Sequence, residues 1–252
     1  MSSHYNISAT IVLFKEQEDV LLKAVNSCLA YSGEKKLFLV DNSPTPISNS
    51  YILNHPEITY IFNDKNLGFS RANNLVLREI KDNSRYHLVL NPDTFFKPQV
   101  LDELVEQFEI NEDLALVAPA IKYPDGEHQY SVRKYPNFLD LLFRKTGINK
   151  KRIYQQEYRN LDLSKPFFPE AVHGCFMLFK TEDFTQINGF DERYFLYMED
   201  LDICKKIDQI GKKKYYFPSV EVTHVLRKGS AKNIKLFFYH FSSAVKYFLK
   251  WL

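Results

Sequence analysis

The chain of 252 residues contains only three cysteines, which lie far apart at Cys28, Cys175 and Cys204. No Cys-x-x-Cys pair occurs, so neither a zinc knuckle nor a disulfide framework is indicated, and a reducing compartment is expected. No run of about 18 apolar residues occurs, which excludes a bilayer-spanning segment. The N-terminus has no basic region followed by a long apolar stretch, so we predict no signal peptide and a cytoplasmic location.

Two common nucleotide-binding fingerprints are also missing. Gly68 is not followed by the further glycines of the Rossmann fingerprint, and the chain has no Gly-Lys-Ser/Thr of nucleoside triphosphatases. The composition is ordinary for one large globular domain, but its charge is uneven: from Lys205 onward there are 11 Lys/Arg and 2 Asp/Glu. Such a basic region favours an anionic neighbour, either a membrane surface or a phosphate. We expect no nucleic-acid partner, because Tyr215 and Phe217, beside the basic residues 212–214, fit a strand.

Strand and helix patterns alternate along the first half of the chain. Helices are predicted at 20–31 and 98–110. Short apolar runs predict buried strands at 9–14, 37–40, 58–62, 87–90 and 114–118. This rhythm implies parallel pairing through right-handed crossovers, and therefore an α/β fold with a mostly parallel central sheet.

Polar residues follow two of these strands. The strand at 87–90 stops at Asn91-Pro92-Asp93, where Pro92 supplies no N–H to a sheet ladder. Ligands bind at the carboxyl ends of strands in open α/β sheets, and a carboxylate there suits a divalent cation that also touches phosphate oxygens. Asn-Pro-Asp is equally good turn chemistry, and taken alone it favours the turn. Asp41 could accept hydrogen bonds from a base or ribose, or could form an Asp turn before Pro44.

The segment 66–74 combines a glycine with a cluster of polar side chains. Gly68 permits a tight turn, Ser70 is the predicted N-cap, and a helix should continue to residue 80. The N–H groups of that helix and the charge of Arg71 would favour a diphosphate. An ordinary glycine turn and cap is the alternative, but it does not explain why Asn66, Arg71 and the asparagines at 73 and 74 cluster there.

The segment 119–171 is the least informative part of the sequence. It is rich in proline, aromatic and basic residues, and it predicts one short helix at 138–144. The rest is expected to be an irregular excursion, either a substrate loop or a disordered segment. An apolar strand at 176–179 then resumes the core, and Gly174 before it leaves room for a ligand.

Two carboxylates begin the inward face of a helix predicted at 198–210. Its buried stripe is Ile203, Ile207 and Ile210, and Asp200 and Glu199 lie three and four residues before Ile203. A carboxylate on a buried stripe is costly unless it is paired or functional. Helix N-terminal charge complementarity explains the charge of these residues but not their register. Asp202 is expected to pair with Lys206 on the solvent side.

The end of the chain predicts two closing strands, at 213–217 and 220–225, and then a helix. His224 ends the second strand and, near Asp93, would complete a metal and diphosphate site; a surface histidine is the alternative. Residues 232–252 form the predicted amphipathic helix, following a main domain at 1–231. We expect its first half to dock on that domain and its second half, with Trp251, to lie in a membrane interface.

At these residues the chain resembles a family 2 glycosyltransferase with the GT-A fold. It is most similar to the bacterial rhamnosyltransferase-like branch that builds O-antigen and related surface polysaccharides. The matching motifs occur in family order over nearly the whole chain: Val-Asp-Asn-Ser at 40–43, Asn-Leu-Gly-Phe-Ser-Arg-Ala-Asn-Asn at 66–74, Leu-Asn-Pro-Asp at 90–93, His-Gly-Cys-Phe-Met-Leu at 173–178, Gly-Phe-Asp-Glu-Arg-Tyr-Phe at 189–195, Tyr-Met-Glu-Asp-Leu-Asp at 197–202, and His224 with Gly229 and Ser230.

The resemblance implies a role for each matching residue. In the donor site, Asp41 contacts the base, Asn66, Gly68 and Arg71 line the nucleotide and diphosphate, and Asn91 and Asp93 form a variant of the Asp-x-Asp metal motif. His224 joins Asp93 as a metal ligand, Asp200 is the catalytic base, and Gly174 and Glu199 contact the acceptor. Two departures from the family pattern are Asn91 in place of the first Asp, and a single histidine at 224 where relatives often carry two.

The implied reaction transfers a sugar with inversion from a nucleotide diphosphate to a hydroxyl of a saccharide acceptor. The resemblance points to L-rhamnose from dTDP-L-rhamnose, Mg²⁺ or Mn²⁺ as cofactor, and a lipid-linked acceptor at the inner face of the cell membrane. A UDP-hexose donor, or a catalytically silent membrane-bound assembly partner, are the alternatives. Retained Asp93 and Asp200 argue against the silent partner.

Overall fold

A computed structural model of the chain describes residues 5–225 and 234–251. Its strands are β1 (Tyr5–Leu13), β2 (Lys35–Asp41), β3 (Ile58–Phe62), β4 (Ser84–Leu90), β5 (Thr94–Phe95), β6 (Leu114–Lys122), β7 (His128–Gln129), β8 (Val132–Arg133), β9 (Ala171–Val172), β10 (Phe176–Lys180) and β11 (Lys213–His224). Its helices are α1 (Glu18–Leu29), α2 (Ser50–Asn54), α3 (Phe69–Asn74), α4 (Leu77–Asn83), α5 (Gln99–Ile110), α6 (Phe138–Thr146), α7 (Lys150–Gln156), α8 (Thr181–Gln186), α9 (Glu199–Gln209) and α10 (Ile234–Trp251).

One mixed sheet forms the centre of the molecule. Its order is β3-β2-β1-β4-β10-β6-β11-β5, with β7 paired to β6. The strands from β3 to β4 are parallel, as the alternating pattern predicts, whereas β10 runs antiparallel to both β4 and β6. This insertion brings the start of β10 to the carboxyl end of β4, where the Asn91 N–H donates to the Cys175 carbonyl at 2.9 Å.

The two predicted closing strands form the single strand β11. Its register against β6 shifts between Phe217 and Glu221, and Pro218 lies within this irregularity. A proline cannot donate to a sheet ladder, and it is therefore accommodated at such a bulge. The second part of β11 continues to His224, which pairs with Thr94 of β5. The sheet thus holds His224 beside the segment that carries Asp93.

An apolar core covers each face of the sheet. One core includes Leu21 and Val25 of α1 together with Leu101 and Leu104 of α5. The other includes residues of α3, α4, α8, α9 and α10, with Ile203 and Ile207 fully buried as their spacing predicts. Burial of each such side chain contributes about 1.5–3 kcal/mol, so both faces stabilise the sheet that carries the site.

The segment 119–171 is folded onto the domain. The Asn137 side chain accepts from the Asp140 N–H, and the Asp140 side chain accepts from the Asn137 N–H, which caps α6 where the sequence predicts a helix. The pairing of β8 with β9 and the bridge between Phe167 and Tyr216 join the rest to the main body. The irregular excursion expected from the sequence is therefore replaced by short elements whose partners are distant in the chain.

Helix α10 docks on the domain through its second half. Tyr247 is buried, the Ser243 hydroxyl donates to the Leu196 carbonyl at 2.9 Å, and Trp251 Nε1 donates to Asp202 Oδ1 at 2.8 Å. This differs from the expectation that the second half leaves the domain for a membrane. No helix within 5–225 or 234–251 has the length and apolar character needed to cross a bilayer.

Asp202 lies in the core of this contact and not on the solvent side of α9. It is fully buried, and it accepts hydrogen bonds from Lys250, Trp251 and the Tyr194 hydroxyl. The expected pair with Lys206 is therefore wrong, since Lys206 Nζ donates to the Gly189 carbonyl. The buried face at the start of α9 is therefore wider than the apolar spacing predicts, because α10 covers the side of the helix that carries Asp202.

Candidate active site

Two adjoining pockets open at the carboxyl end of the parallel strands. The larger has a volume of about 480 Å³ and is lined by residues that follow β1, β2, β3 and β4. The smaller has a volume of about 220 Å³ and is lined by residues that follow β8 and β9 and begin α9. Phe69, Asn91 and Leu196 line both pockets and form their common boundary. Two molecules could therefore meet at Asn91.

Four of the residues predicted to bind a donor line the larger pocket: Asn66, Gly68, Asn91 and Asp93. Gly68 has a φ of +80°, and a Cβ atom there would lie 2.4 Å from the Phe195 carbonyl oxygen. Both the left-handed backbone and this contact require glycine. The close approach of Gly68 to Phe195 brings the loop before α9 against the pocket.

The structure does not bring Asp41 or Arg71 to this pocket. Asp41 is fully buried, and its carboxylate accepts from the Ser43 N–H at 2.8 Å and from the Tyr60 hydroxyl at 2.7 Å. Burial and the bond to Asp41 raise the pKa of Tyr60 to about 12. Asn42, the next residue, lines the pocket instead. The contact of Asp41 with a base stays a prediction that this geometry does not support.

Arg71 lines neither pocket, and backbone N–H groups at the start of α3 already have hydrogen-bond acceptors. Arg71 Nε lies 3.1 Å from Glu192 Oε2, and both side chains are about half exposed. The Gly68 N–H donates to Asn66 Oδ1 and the Phe69 N–H donates to the Phe195 carbonyl, so these two donors are already used. Gly68, and not Ser70, is the N-cap, and the predicted helix to residue 80 is divided into α3 and α4.

Asp93 and His224 come together as the sequence predicts. His224 Nε2 lies 3.3 Å from Asp93 Oδ1. Gln129 Nε2 donates to the His224 carbonyl at 2.8 Å, which turns Gln129 Oε1 toward His224 Nδ1 at 3.0 Å. His224 Nδ1 must therefore carry the proton, and Nε2 faces Asp93. A histidine whose second nitrogen is oriented in this way is typical of a metal ligand.

The donor set fits a divalent cation. A carboxylate oxygen and an imidazole nitrogen suit Mn²⁺, and a carboxylate suits Mg²⁺. Within 5–225 and 234–251 no group of three His, Cys, Asp or Glu side chains could hold a metal, and Asp93 and His224 are the pair of ligands that these residues offer here. Residues 227–230, which carry basic and small side chains after His224, lie outside the described residues.

Without a cation, His224 is paired with Asp93. Burial lowers the pKa of His224, but Cys175 and the hydrogen bond to Asp93 outweigh it and raise that pKa to about 10. His224 is therefore protonated when no cation is bound, and its imidazolium supplies the positive charge beside Asp93. A cation that binds here has to displace that proton.

A strained turn presents Glu199 and Asp200 to the smaller pocket. Tyr197 and Met198 have φ values of +70° and +68°, an uncommon conformation for residues with side chains, and α9 begins directly after them. Asp200 Oδ1 accepts from the Leu201 N–H at 2.9 Å. A Cβ atom on Gly174 would lie 3.5 Å from the Asp200 Cβ, an ordinary contact, so Gly174 is close to Asp200 but is not required there by space.

The two carboxyl groups differ in their protonation. Burial raises the pKa of Asp200, while Arg133 and the backbone N–H groups of Leu201 and Gly174 oppose that rise. Burial and the charge of Asp200 raise the pKa of Glu199 well above its usual range, and Glu199 Oε2 has no hydrogen-bond partner within the described residues. Asp200 is therefore the group that ionises first and can accept a proton, whereas Glu199 is held neutral.

Five basic or imidazole side chains share the smaller pocket with Asp200, and the sequence did not identify them as site residues. They are Arg133, Lys134, Arg144, His173 and His240. Because these residues are far from Asp200 in the chain, no helix or strand periodicity in the sequence connects them with it. The basic content of 119–171 could have pointed to Arg133, Lys134 and Arg144, and His173 begins the matching motif at 173–178.

Family models match most of the chain. Residues 8–184 match the model described as "Glycosyl transferase family 2", and residues 159–228 match the model described as "N-terminal domain of galactosyltransferase". The first model extends from β1 into α8 and includes the residues from Asn42 to Asp93 that line the larger pocket.

Curated relatives cover the chain at moderate identity. It is 27% identical over 248 residues to "Rhamnosyltransferase WbbL" of Escherichia coli (strain K12), with 94% of this chain and 90% of that protein covered. It is 26% identical over 214 residues to "N-acetylglucosaminyl-diphospho-decaprenol L-rhamnosyltransferase" of Mycobacterium tuberculosis (strain CDC 1551 / Oshkosh), with 78% of this chain and 68% of that protein covered.

Solved structures show the same fold. The structure of GalNAc-T7 with UDP, GalNAc and Mn²⁺ has a TM-score of 0.66 and 16% identity, and covers 90% of this chain and 44% of that chain. Mannosyltransferase PcManGT from Pyrobaculum calidifontis, in complex with GDP-Man and Mn²⁺, has a TM-score of 0.62 and 15% identity, and covers 97% of this chain and 65% of that chain. The GT-A fold that the sequence motifs imply is confirmed.

Proposed function

The chain belongs to glycosyl transferase family 2, and from that premise we propose that it transfers L-rhamnose from a nucleotide diphosphate, dTDP-L-rhamnose, to a lipid-linked saccharide. The names of the two relatives state rhamnosyl transfer, and one names a diphospho-decaprenol acceptor. The observation that carries the proposal is the meeting of two pockets at Asn91, with Asp93 in the larger one and Asp200 in the smaller one.

In this arrangement the larger pocket takes the donor. Asn42 and Asn66 would contact the nucleoside, while Asp93 and His224 would hold a divalent cation against the diphosphate. When bound, such a cation would stabilise the negative charge of the leaving diphosphate. The two related structures were solved with Mn²⁺ and a nucleotide or nucleotide sugar, which supports this assignment.

The smaller pocket takes the acceptor. Asp200 would accept the proton of the attacking hydroxyl, since its carboxylate lines this pocket and ionises before Glu199. The neutral Glu199 would contact the acceptor through its Oε2 atom, which has no hydrogen-bond partner within the described residues. The attacking oxygen then approaches the anomeric carbon from the side opposite the diphosphate, and a single displacement inverts the configuration.

The exposed face of α10 would hold the enzyme at a membrane. Five apolar side chains lie on that face, at Ile234, Phe238, Phe241, Val245 and Leu249. Their spacing follows the helical repeat, and such a face can lie in the membrane interface. The basic surplus after residue 205 would attract anionic lipids, by about 1 kcal/mol for each Lys or Arg near the surface. A lipid-linked acceptor would lie at that surface.

The central test replaces Asp200 with asparagine. We expect Asp200→Asn to lose about 10²–10⁴-fold in transfer while retaining donor binding, since a general base contributes that much. Transfer would be assayed with dTDP-L-rhamnose, UDP-hexoses and GDP-mannose, and donor binding by calorimetry. Glu199→Gln is the matched comparison on the same turn, and we expect its loss to appear mainly in the acceptor KM.

The pH profile adds a second measurement to that test. Because burial raises the pKa of Asp200, its ionised form is lost as the pH falls through a value above that of an ordinary aspartate. The acid limb of kcat should lie there in the parent protein. Near-full activity of Asp200→Asn would contradict its assignment as the base, and Glu199 would become the next candidate.

A further inference from the structure

Arg133 is a cationic side chain whose Nε donor is unused within the described residues. It lies at the end of β8, where it pairs across to Ala171 of β9, and it lines the smaller pocket with Asp200. Its Nε atom is buried and has no hydrogen-bond partner within residues 5–225 and 234–251, and Asp200 is the carboxyl group whose pKa the charge of Arg133 lowers. A buried guanidinium donor without an acceptor is costly, so an anion bound there would stabilise the pocket.

A second arginine increases the positive charge at this position. Arg144 Nη1 lies 3.0 Å from Glu157 Oε1, and Nη2 lies 2.8 Å from Gln156 Oε1. Burial and the charge of Arg133 lower the pKa of Arg144 to about 10, and burial with both arginines lowers that of His173 well below its usual range. Glu157 is shared with Arg159, so it does not neutralise Arg133.

The position of the two arginines separates them from the donor diphosphate. Arg133 and Arg144 line the smaller pocket, whereas Asp93 lines the larger one. The helices that border the smaller pocket also carry apolar side chains outward: α6 supplies Leu141 to the pocket and exposes Phe138 to solvent. On α10, His240 lines the pocket while Phe241 beside it is exposed. An anionic group in this pocket therefore lies close to an apolar surface.

We propose that Arg133, supported by Arg144, binds the diphosphate that joins the acceptor sugar to its lipid. The guanidinium of Arg133 matches phosphate oxygens through paired N–H donors. The acceptor sugar then lies between Arg133 and Asp200, and its lipid leaves the pocket between α6 and α10. This inference rests on the proposed function for the acceptor class, and it assigns a residue that sets acceptor specificity.

The test measures binding of two synthetic probes that carry N-acetylglucosamine on the same alkyl chain, one through a diphosphate and one through a plain glycosidic oxygen. Calorimetry would be run on the full chain with Mn²⁺ and saturating dTDP, so that the donor pocket is filled and no transfer occurs. We expect Arg133→Ala to weaken the diphosphate probe by about 10- to 100-fold, the contribution typical of hydrogen bonds to a charged group, and to leave the glycosidic probe unchanged.

Two further variants complete the design. Arg133→Lys keeps the charge but loses the paired donors, so its affinity should lie between those of the parent protein and Arg133→Ala, and it decides the question if the alanine variant does not fold. Arg78→Ala removes an exposed arginine from α4 and should bind both probes like the parent protein.

The inference is overturned if Arg133→Ala binds the diphosphate probe as the parent does, if it weakens both probes equally, or if the parent binds the diphosphate probe only when dTDP and Mn²⁺ are left out. Failure of the proposed function would look different. The parent protein would then transfer no sugar from dTDP-L-rhamnose, while binding of the diphosphate probe would still depend on Arg133.

Discussion

We expect Lys250→Met to destabilise the fold by about 3 kcal/mol, the lower end of the range for breaking a buried ion pair. Lys250 Nζ lies 2.8 Å from Asp202 Oδ1 and 2.8 Å from Asp191 Oδ2, and it joins the end of α10 to α9 and to the loop before it. Asp202 is fully buried and the Lys250 side chain is 19% exposed, so water screens this pair only weakly.

The magnitude follows from what remains after the substitution. Methionine keeps the length and apolar stem of lysine, so that the loss is mainly that of the charge. Breaking a buried pair by removing one partner costs about 3–5 kcal/mol, because the other charge stays buried. The lower end applies here since Trp251 Nε1 and the Tyr194 hydroxyl still donate to Asp202, at 2.8 Å and 3.2 Å. A loss of this size lowers the melting temperature by about 6–12 °C in a domain of this length.

The assay is equilibrium unfolding in urea together with thermal melting. Lys246→Met is the matched control one turn earlier, because Lys246 Nζ donates to the exposed Arg193 carbonyl and pairs with no carboxylate within the described residues. We expect that control to cost about 0.5 kcal/mol or less. The double variant Asp202→Asn/Lys250→Met removes both charges and should lose less than the two single variants together.

Equal stability of Lys250→Met and Lys246→Met would refute this reasoning. It would mean that the last turn of α10 is not part of the core. That result would agree with the sequence-based expectation that the second half of this helix lies in a membrane. A large loss in Lys250→Met that the double variant does not reduce would show that the lysine stem, and not its charge, stabilises the contact.

Two other predictions concern ligands. Asp93→Ala should weaken dTDP binding in Mn²⁺ with little effect on thymidine, because its carboxylate faces His224 Nε2 at the proposed cation site; calorimetry with and without Mn²⁺ checks this, and equal dTDP affinity in both proteins would make Asp93 a turn residue. Replacing both Phe238 and Phe241 with serine should lower binding to anionic liposomes while the fold stays intact, since both side chains are exposed on α10. Leu75→Ser, at an exposed position outside α10, is the matched control, and equal liposome binding by the two variants would contradict the membrane proposal.

The periodic parts of the fold could be predicted from the sequence. The strand at 58–62 has the predicted bounds, and Ile203 and Ile207 are buried as their spacing requires. Asp93 and His224, which are far apart in the chain, meet because β4 ends just before Asp93 and β11 ends at His224, on the same side of the sheet. A strand end of this kind is visible in the sequence as polar residues after an apolar run, and this pattern predicts which side chains lie at the site.

The predictions that were wrong or missing concern residues whose positions are set by contacts with distant parts of the chain. Asp202 looks like a solvent-facing residue from the spacing of α9 alone, and only the docking of Lys250 and Trp251 makes it buried. Arg133 lies on a strand of two residues that pairs with Ala171, too short for any periodic signal. Asp41 and Asn42 are adjacent, and local sequence does not decide which of them turns toward the pocket.

The division of the site along the chain has a consequence for how relatives can diverge. The polar residues of the larger pocket from Asn42 to Asp93 precede β6. The ionisable groups of the smaller pocket, from Arg133 to His240, follow β6, as do His224 and the α10 residues Lys235 and Tyr239 that complete the larger pocket. Recombination near β6 would therefore exchange the smaller pocket together with His224 and the α10 residues, while Asn42, Asn66 and Asp93 of the larger pocket are inherited unchanged. Under the proposed assignment, descendants that keep one sugar donor and change the acceptor should accumulate their pocket differences after residue 130. Chimaeras joined there offer a direct route to new glycosidic linkages.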